Sequence, residues 1–299
     1  MKKAIGIDLG GTSIYGGIID EKGEILKRAS RDSQAHQGRQ VVLNRISEVI
    51  EELMKGEKVD AIGLGSPGFI DVREGKVLSI GGNIEGWAYT KIREELSKEF
   101  KDIPIFVEND ANVAAICEEW LGAAKGLHSF VMLTLGTGVG GGIYSQKAGI
   151  WYGKNYQGAE LGHVILYPNG RQCNCGQKGC VEQYVSGNAI EKTYYDMTGK
   201  RLKGKEIFKN SQEDEKAKEA VEKYIKDLGM YLISIKNIFD PEGIILGGGV
   251  INSREYWWDE MLEYYNKNCN NPDGTVILPA KYLNDSGMIG AAKVAFDNI

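Results

Sequence analysis

The chain has 299 residues, 42% hydrophobic and 26% charged, enough for a sizeable core and, at about 150 residues per domain, for two domains. A net charge of −5 excludes the electrostatic footprint of a nucleic-acid binder, and without an apolar run of 18 residues no membrane span is expected. Asp8 interrupts the apolar stretch a signal peptide would need, and bunched thiols fit a reducing compartment, so a cytoplasmic protein is expected.

In chain order, residues 4–9, 14–19 and 25–26 read as a three-strand meander whose first turn is Gly10-Gly11-Thr12. Val41, Val42, Ile46, Val49, Ile50 and Leu53 keep helical spacing. A strand at 59–64 opens into Gly65-Ser66-Pro67-Gly68; a helix at 91–100, a strand at 103–107 and a helix at 111–121 follow. The order then restarts with a strand at 130–135, the turn Gly136-Thr137-Gly138 and a returning strand at 140–144. Two matching hairpins predict two similar lobes. A long helix spans 213–239, a strand at 243–246 meets Gly247-Gly248-Gly249, and a small-residue helix covers 287–296. Segment 196–215 is the most charged and is expected to be the most mobile.

Glycine is the compositional outlier, 40 residues against a usual share of about 7%, and it clusters in turns that follow strands. Successive N–H groups in such turns form anion nests, so Gly10, Gly11 and Thr12, Gly136, Thr137 and Gly138, and Gly248 and Gly249 are candidates for nucleotide phosphates. Neither a Walker motif nor a dinucleotide fingerprint is present. Asp8, just before the first turn, is placed to hold magnesium beside a phosphate or simply to accept turn N–H bonds. Thr12 and Thr137 have hydroxyls for phosphate or for their own turns.

Cys173, Cys175 and Cys180 fall within eight positions, and His163 lies ten residues upstream. Three thiolates and one imidazole suit tetrahedral zinc, although Cys-x-Cys-x4-Cys is not the usual finger spacing. The alternative is a trio of buried or redox-active thiols. Glu160 and Glu182 flank this knuckle, and with Asn83, Asn109 and Asp110 they compose a plausible cage for sugar hydroxyls. Asp110 begins a helix, where it serves as N-cap or as the general base that takes a hydroxyl proton during phosphoryl transfer. A helix N-terminus is expected to lower its pKa.

Asp8-Leu9-Gly10-Gly11-Thr12, Glu108-Asn109-Asp110-Ala111-Asn112, Leu135 to Gly142, Glu160-Leu161-Gly162-His163 and Cys173 to Glu182 together resemble the ROK family of sugar kinases and sugar-responsive repressors. The resemblance implies an α/β fold of the two-lobed, actin-like ATPase (ribonuclease H-like) kind with a duplicated β-meander core. Residues 1–113 and 286–299 would form a small lobe, and 114–285 a large lobe carrying a zinc knuckle. It implies ATP and Mg2+, and structural Zn2+ on His163, Cys173, Cys175 and Cys180. Asp110 would be the base toward a hexose 6-hydroxyl, with Gly68, Asn83, Asn109, Glu160, His163 and Glu182 contacting the sugar.

Family repressors carry a helix-turn-helix ahead of the glycine hairpin; here the hairpin begins at Ala4, and the kinase branch is expected. Ser66 to Asp71 and Gly82 to Trp87 look most like glucokinases, whereas Glu85 and the loop at 151–157 depart from that pattern. The related alternatives are N-acetylmannosamine, N-acetylglucosamine, fructose and β-glucoside kinases, and a non-catalytic sugar sensor is the rival of another class. A homo-oligomer, dimer or tetramer, is expected.

Overall fold

The computed structural model describes residues 2–79 and 84–299. The expected sugar contact Asn83 lies outside the described residues. The chain divides into two compact units, one of Met1–Lys125, Tyr152–Gly158 and Asn284–Ile299, the other of Gly126–Trp151 and Ala159–Leu283. A boundary at 113, as expected from sequence, would cut the helix Asp110–Trp120 in two. That helix packs along its length on the C-terminal helix Ser286–Phe296, which keeps it whole within the first unit.

The first unit is built on a five-stranded mixed sheet. Its strands are β1 (Lys3–Leu9), β2 (Ser13–Asp20), β3 (Ile25–Asp32), β4 (Ala61–Ser66) and, after the small hairpin β5 (Phe69–Asp71) and β6 (Lys76–Ser79), β7 (Ile105–Asn109). Their order is β3-β2-β1-β4-β7, antiparallel across the meander and parallel from β1 to β4 to β7. Helix α1 (Arg39–Met54) buries Val42, Leu43, Ile46, Val49, Ile50 and Leu53, close to the predicted stripe. Helix α2 (Ile92–Ser97) is short, and α3 (Asp110–Trp120) follows β7 without a gap. The C-terminal helix lies so close to the sheet that a Cβ on Gly6 or Gly63 would run into the carbonyls of Met288 or Ala291.

Parallel register sets the three strand ends side by side. Asp8 on β1 is opposite Gly65 on β4, and Ser66 is opposite Asn109 on β7. Ligands of open α/β sheets bind at such carboxyl ends.

The second unit repeats the pattern with β8 (Ser129–Leu135), β9 (Val139–Ser145), β10 (Gly149–Ile150), β11 (Gly243–Gly247) and β12 (Val276–Pro279), in the order β10-β9-β8-β11-β12. Its pairings again run antiparallel through the hairpin and parallel beyond it. Helices α4 (Glu182–Val185), α5 (Gly187–Thr198), α6 (Gly204–Asn210), the 25-residue α7 (Glu215–Phe239) and α8 (Trp258–Asn268) build the rest.

Four of these, all but α7, were not evident from periodicity. In α6, the charged residues hide Ile207 and Phe208, both buried, with the Phe208 ring against Tyr224 and Trp257. The segment at 196–215 is therefore docked by two apolar anchors, contrary to the mobility its charge suggested. In α8 only Met261 and Tyr265 are buried, too few to mark a stripe. Among the described residues no helix is long and apolar enough to cross a membrane.

Candidate active site

In the first unit the functional candidates sit on the turn after β1 and at the β7–α3 junction. Gly10 N–H donates to the Ser13 carbonyl at 2.9 Å, closing the glycine hairpin. Buried Ser33 braces it from outside: its N–H donates to the Thr12 carbonyl (3.0 Å) and its Oγ to the Gly11 carbonyl (3.0 Å). Gly11 and Thr12 are left exposed, with N–H groups and a hydroxyl at the surface. A cavity of about 500 Å³ adjoins them, lined also by Asp32, Gln34, His36 and Glu85.

The N-cap of α3 is Asn109, not Asp110. Its Oδ1 accepts from the N–H groups of Ala111 (2.9 Å) and Asn112 (3.2 Å), and its Nδ2 donates to the Gly68 carbonyl at 3.1 Å. Gly68 and Asn109, both candidate sugar contacts, are thus tied together, and the Asn109 side chain also favours the charged form of the neighbouring Asp110 carboxylate. Asp110 is the first residue of the helix, and its Oδ1 accepts from Ala111 N–H at 2.8 Å. Surrounding protein removes water from its carboxylate and raises its pKa, outweighing the backbone N–H bonds that act the other way. The helix-terminus effect expected from sequence is therefore the smaller one.

Asp8 is affected in the same sense: burial, then the nearby charge of Asp110, lifts its pKa to about 7. A buried carboxylate whose charge is disfavoured by a neighbouring one is a natural seat for a cation.

Behind Asp110 stands a residue to which the sequence pattern gave no role. Glu108 is buried, and its carboxylate takes three hydrogen bonds: Asn109 N–H (2.8 Å), Asn112 Nδ2 (3.0 Å) and the phenol of Tyr152 (2.7 Å). The sequence marked Tyr152 only as part of the 151–157 loop; its tie to Glu108 was not legible, because that partner is 44 residues away.

In the second unit the turn Gly136-Thr137-Gly138 joins β8 to β9, with Gly136 N–H on the Gly138 carbonyl at 2.9 Å. Its carbonyl at Gly136 accepts from Gly187 N–H (2.7 Å), and Glu182 Oε2 accepts from Val139 N–H (3.0 Å). A side chain on Gly138 would strike that carboxylate. Gly248, with φ of 83°, turns the chain after β11 against the end of β8, and Gly249 faces open space.

Glu160 is exposed, and its Oε2 lies 3.8 Å from His163 Nε2. The other ring nitrogen, Nδ1, is 3.7 Å from Cys173 Sγ, and the sulfurs of Cys175 and Cys180 are 3.6 Å apart. All four donor atoms lie within 4.8 Å of one another. Tetrahedral zinc with Zn–S bonds of about 2.3 Å requires sulfurs roughly 3.8 Å apart, so the donor set fits this ion. Gln177 Nε2 reaches Cys175 Sγ (3.5 Å) and Cys180 Sγ (3.7 Å).

Comparison with known proteins accords with these features. A glucokinase of Thermotoga maritima is 34% identical, over 99% of this chain and 98% of its own length. A ROK hexokinase from Thermus thermophilus superposes with a TM-score of 0.87 at 35% identity, covering 99% of this chain and 98% of that one. A ROK family glucokinase from Streptomyces griseus, solved in complex with glucose and AMPPNP, superposes with a TM-score of 0.86 at 29% identity, covering 99% of each chain. The ROK family model matches residues 4–298, and the chain belongs to the ROK family.

Proposed function

We propose that this protein transfers the terminal phosphoryl group of ATP to the 6-hydroxyl of a hexose, with glucose the first candidate. The observation that carries the reading is Asp110: a carboxylate at the head of α3, capped by its neighbour and raised in pKa, in a chain closely similar to a glucokinase solved with glucose and an ATP analogue. A carboxylate whose pKa is raised by burial is a stronger base than a free one.

In this reaction the 6-hydroxyl oxygen bonds to the terminal phosphorus, and the bond to the ADP oxygen breaks with its electron pair leaving on ADP. The hydroxyl proton passes to Asp110. The transition state is loose, so positioning counts for more than base strength. The side chain of Asn109 and the backbone at Gly68 are assigned to orient the sugar, as are Glu160, Glu182 and His163. The N–H groups at Gly10, Gly11, Thr12, Gly136, Thr137, Gly138, Gly248 and Gly249 are assigned to the nucleotide phosphates. Asp8 would hold a magnesium ion, which supplies neutralisation of phosphate charge.

His163, Cys173, Cys175 and Cys180 would hold zinc, and four protein donors make that role structural. With Nδ1 toward the sulfurs, His163 keeps Nε2 for a hydroxyl, so metal and sugar roles are compatible in one ring. The repeated strand order of the two sheets supports the finer assignment to the actin-like ATPases.

ADP release with mass detection of the sugar phosphate, run over glucose, fructose, N-acetylmannosamine, N-acetylglucosamine and cellobiose, tests the reading. Turnover on glucose at the highest kcat/KM is the expected result; no phosphorylated product with any sugar overturns it and leaves a non-catalytic sensor. One observation favours a second reading, a β-glucoside kinase: Trp151, just ahead of Glu160, is 59% exposed and offers an indole face for a second sugar ring. Preference for cellobiose in the same panel would select it.

A further inference from the structure

We propose that Tyr152 is a positioning residue for the reaction, its phenol acting through Glu108 to fix the turn that presents Asp110. The inference rests on the kinase reading for its catalytic consequence, but its structural half is testable alone.

Glu108 is 2% exposed, and a buried carboxylate must have its charge satisfied by donors. Two of its three donors, Asn109 N–H and Asn112 Nδ2, belong to the very turn that carries Asp110, and both bind Oε1. Tyr152 alone among these three donors binds Oε2. Without that phenol, the carboxylate has two outcomes, and both disturb the turn. It can take up a proton, which weakens its acceptance from Asn109 N–H, or it can rotate to seek another donor and release Oε1 from the turn. Burial already raises the pKa of Glu108 against the pull of these bonds, so loss of one favours protonation. Charge-assisted bonds of this length are the strong ones, and small displacements of a reacting group cost large factors in rate.

The placement of Tyr152 is itself specified. Residues Tyr152–Gly158 count with the first unit, although the chain on both sides of them belongs to the second. Gly158 N–H closes the segment on the Tyr152 carbonyl at 2.8 Å. The Tyr156 ring meets the Tyr152 ring edge-on, with centroids 6.0 Å apart, and the nearby Asp71 carboxylate helps raise the pKa of its phenol. Tyr156 and Ala159 both adopt left-handed backbone (φ of 57° and 64°), a conformation that non-glycine residues hold only where surrounding contacts enforce it. Glu160 follows directly.

The experiment compares wild type with Tyr152→Phe, Glu108→Gln and the double variant. Tyr152→Phe is expected to lower kcat about tenfold or more with the sugar KM within about threefold, and to move the acid limb of kcat to higher pH. In the Glu108→Gln background it should change kcat by less than about twofold, because its route is already cut. Independently of turnover, amide exchange at residues 109–112 should accelerate in Tyr152→Phe. Unchanged exchange there, an unaltered kcat with only a lower melting temperature, or effects of the two substitutions that simply multiply would each overturn the proposal. If Glu108→Gln fails to fold, the exchange and pH measurements on Tyr152→Phe decide it. Absence of turnover in the wild type would count against the kinase reading, while the exchange data would still judge the role of Tyr152.

Discussion

The carboxylate of Glu182 accepts a 3.0 Å hydrogen bond from the N–H of Val139, so the residue two places beyond the last cysteine of the knuckle braces the second glycine turn. Gly138→Ala forces this carboxylate aside. A hydrogen bond to a charged group contributes about 1.5–3 kcal/mol, so the KM for ATP should rise roughly tenfold or more. Glu182→Gln keeps an acceptor for Val139 and should spare ATP while weakening the sugar. Steady-state kinetics with each substrate varied in turn separates the two, and equal effects on both substrates from both variants would contradict this division.

Asn109 and Asp110 should part company under mutation. Asn109→Ala removes the cap of α3 and should cost about 1 kcal/mol or more of stability. Asp110→Asn leaves the cap in place and should shift the denaturation midpoint little, yet lower kcat about 100-fold or more. Urea unfolding and turnover on the same preparations give both readings; near-normal kcat in Asp110→Asn removes it from the chemistry.

Asp8 should make the ligand-free protein less stable as pH rises. Its pKa in the folded state is about 7, against about 3.9 when unfolded, so the folded state holds the proton more tightly. The stability this confers is present below about pH 4 and is lost as pH climbs through about 7. Asp8→Asn should therefore melt at a higher temperature than wild type at pH 8, with the gap closing towards pH 4, and should lose turnover. A gap independent of pH would show that the carboxylate is not raised.

Metal removal tests the knuckle. Structural zinc contributes on the order of 10 kcal/mol to such a site, so one zinc per chain should be found by elemental analysis. A strong chelator, or Cys173→Ser, should lower the melting temperature by more than about 10 °C and abolish turnover together. A chain that carries no zinc, with Cys175 and Cys180 readily oxidised to a disulfide, would favour the redox-thiol reading instead.

What sequence revealed was what repeats locally. The hairpins, α1, α7 and the cysteine knuckle announce themselves through glycine turns, a 3.6-residue stripe or ligand spacing, and their bounds moved by only a few residues in the structure. The Asp110 region was legible as a motif but not in its division of labour: capping is decided by which side chain reaches back to the helix N–H groups, and that fell to Asn109. The roles of Ser33 and Tyr152 were hidden because their partners, Gly11 and Glu108, are brought to them by folding across 22 and 44 residues, although the loop that holds Tyr152 stood out as unusual. In α6, two apolar residues outweighed a charged composition.

The close seating of the C-terminal helix on Gly6 and Gly63 has a consequence for biosynthesis. The first unit draws residues from before and after the second, which is finished by Leu283. Emerging from the ribosome, the second unit can mature first, while the opening sheet waits with a glycine-lined face bare until Ser286–Phe296 arrive. Nascent chains arrested before that helix should recruit chaperones, and chains that carry it should not.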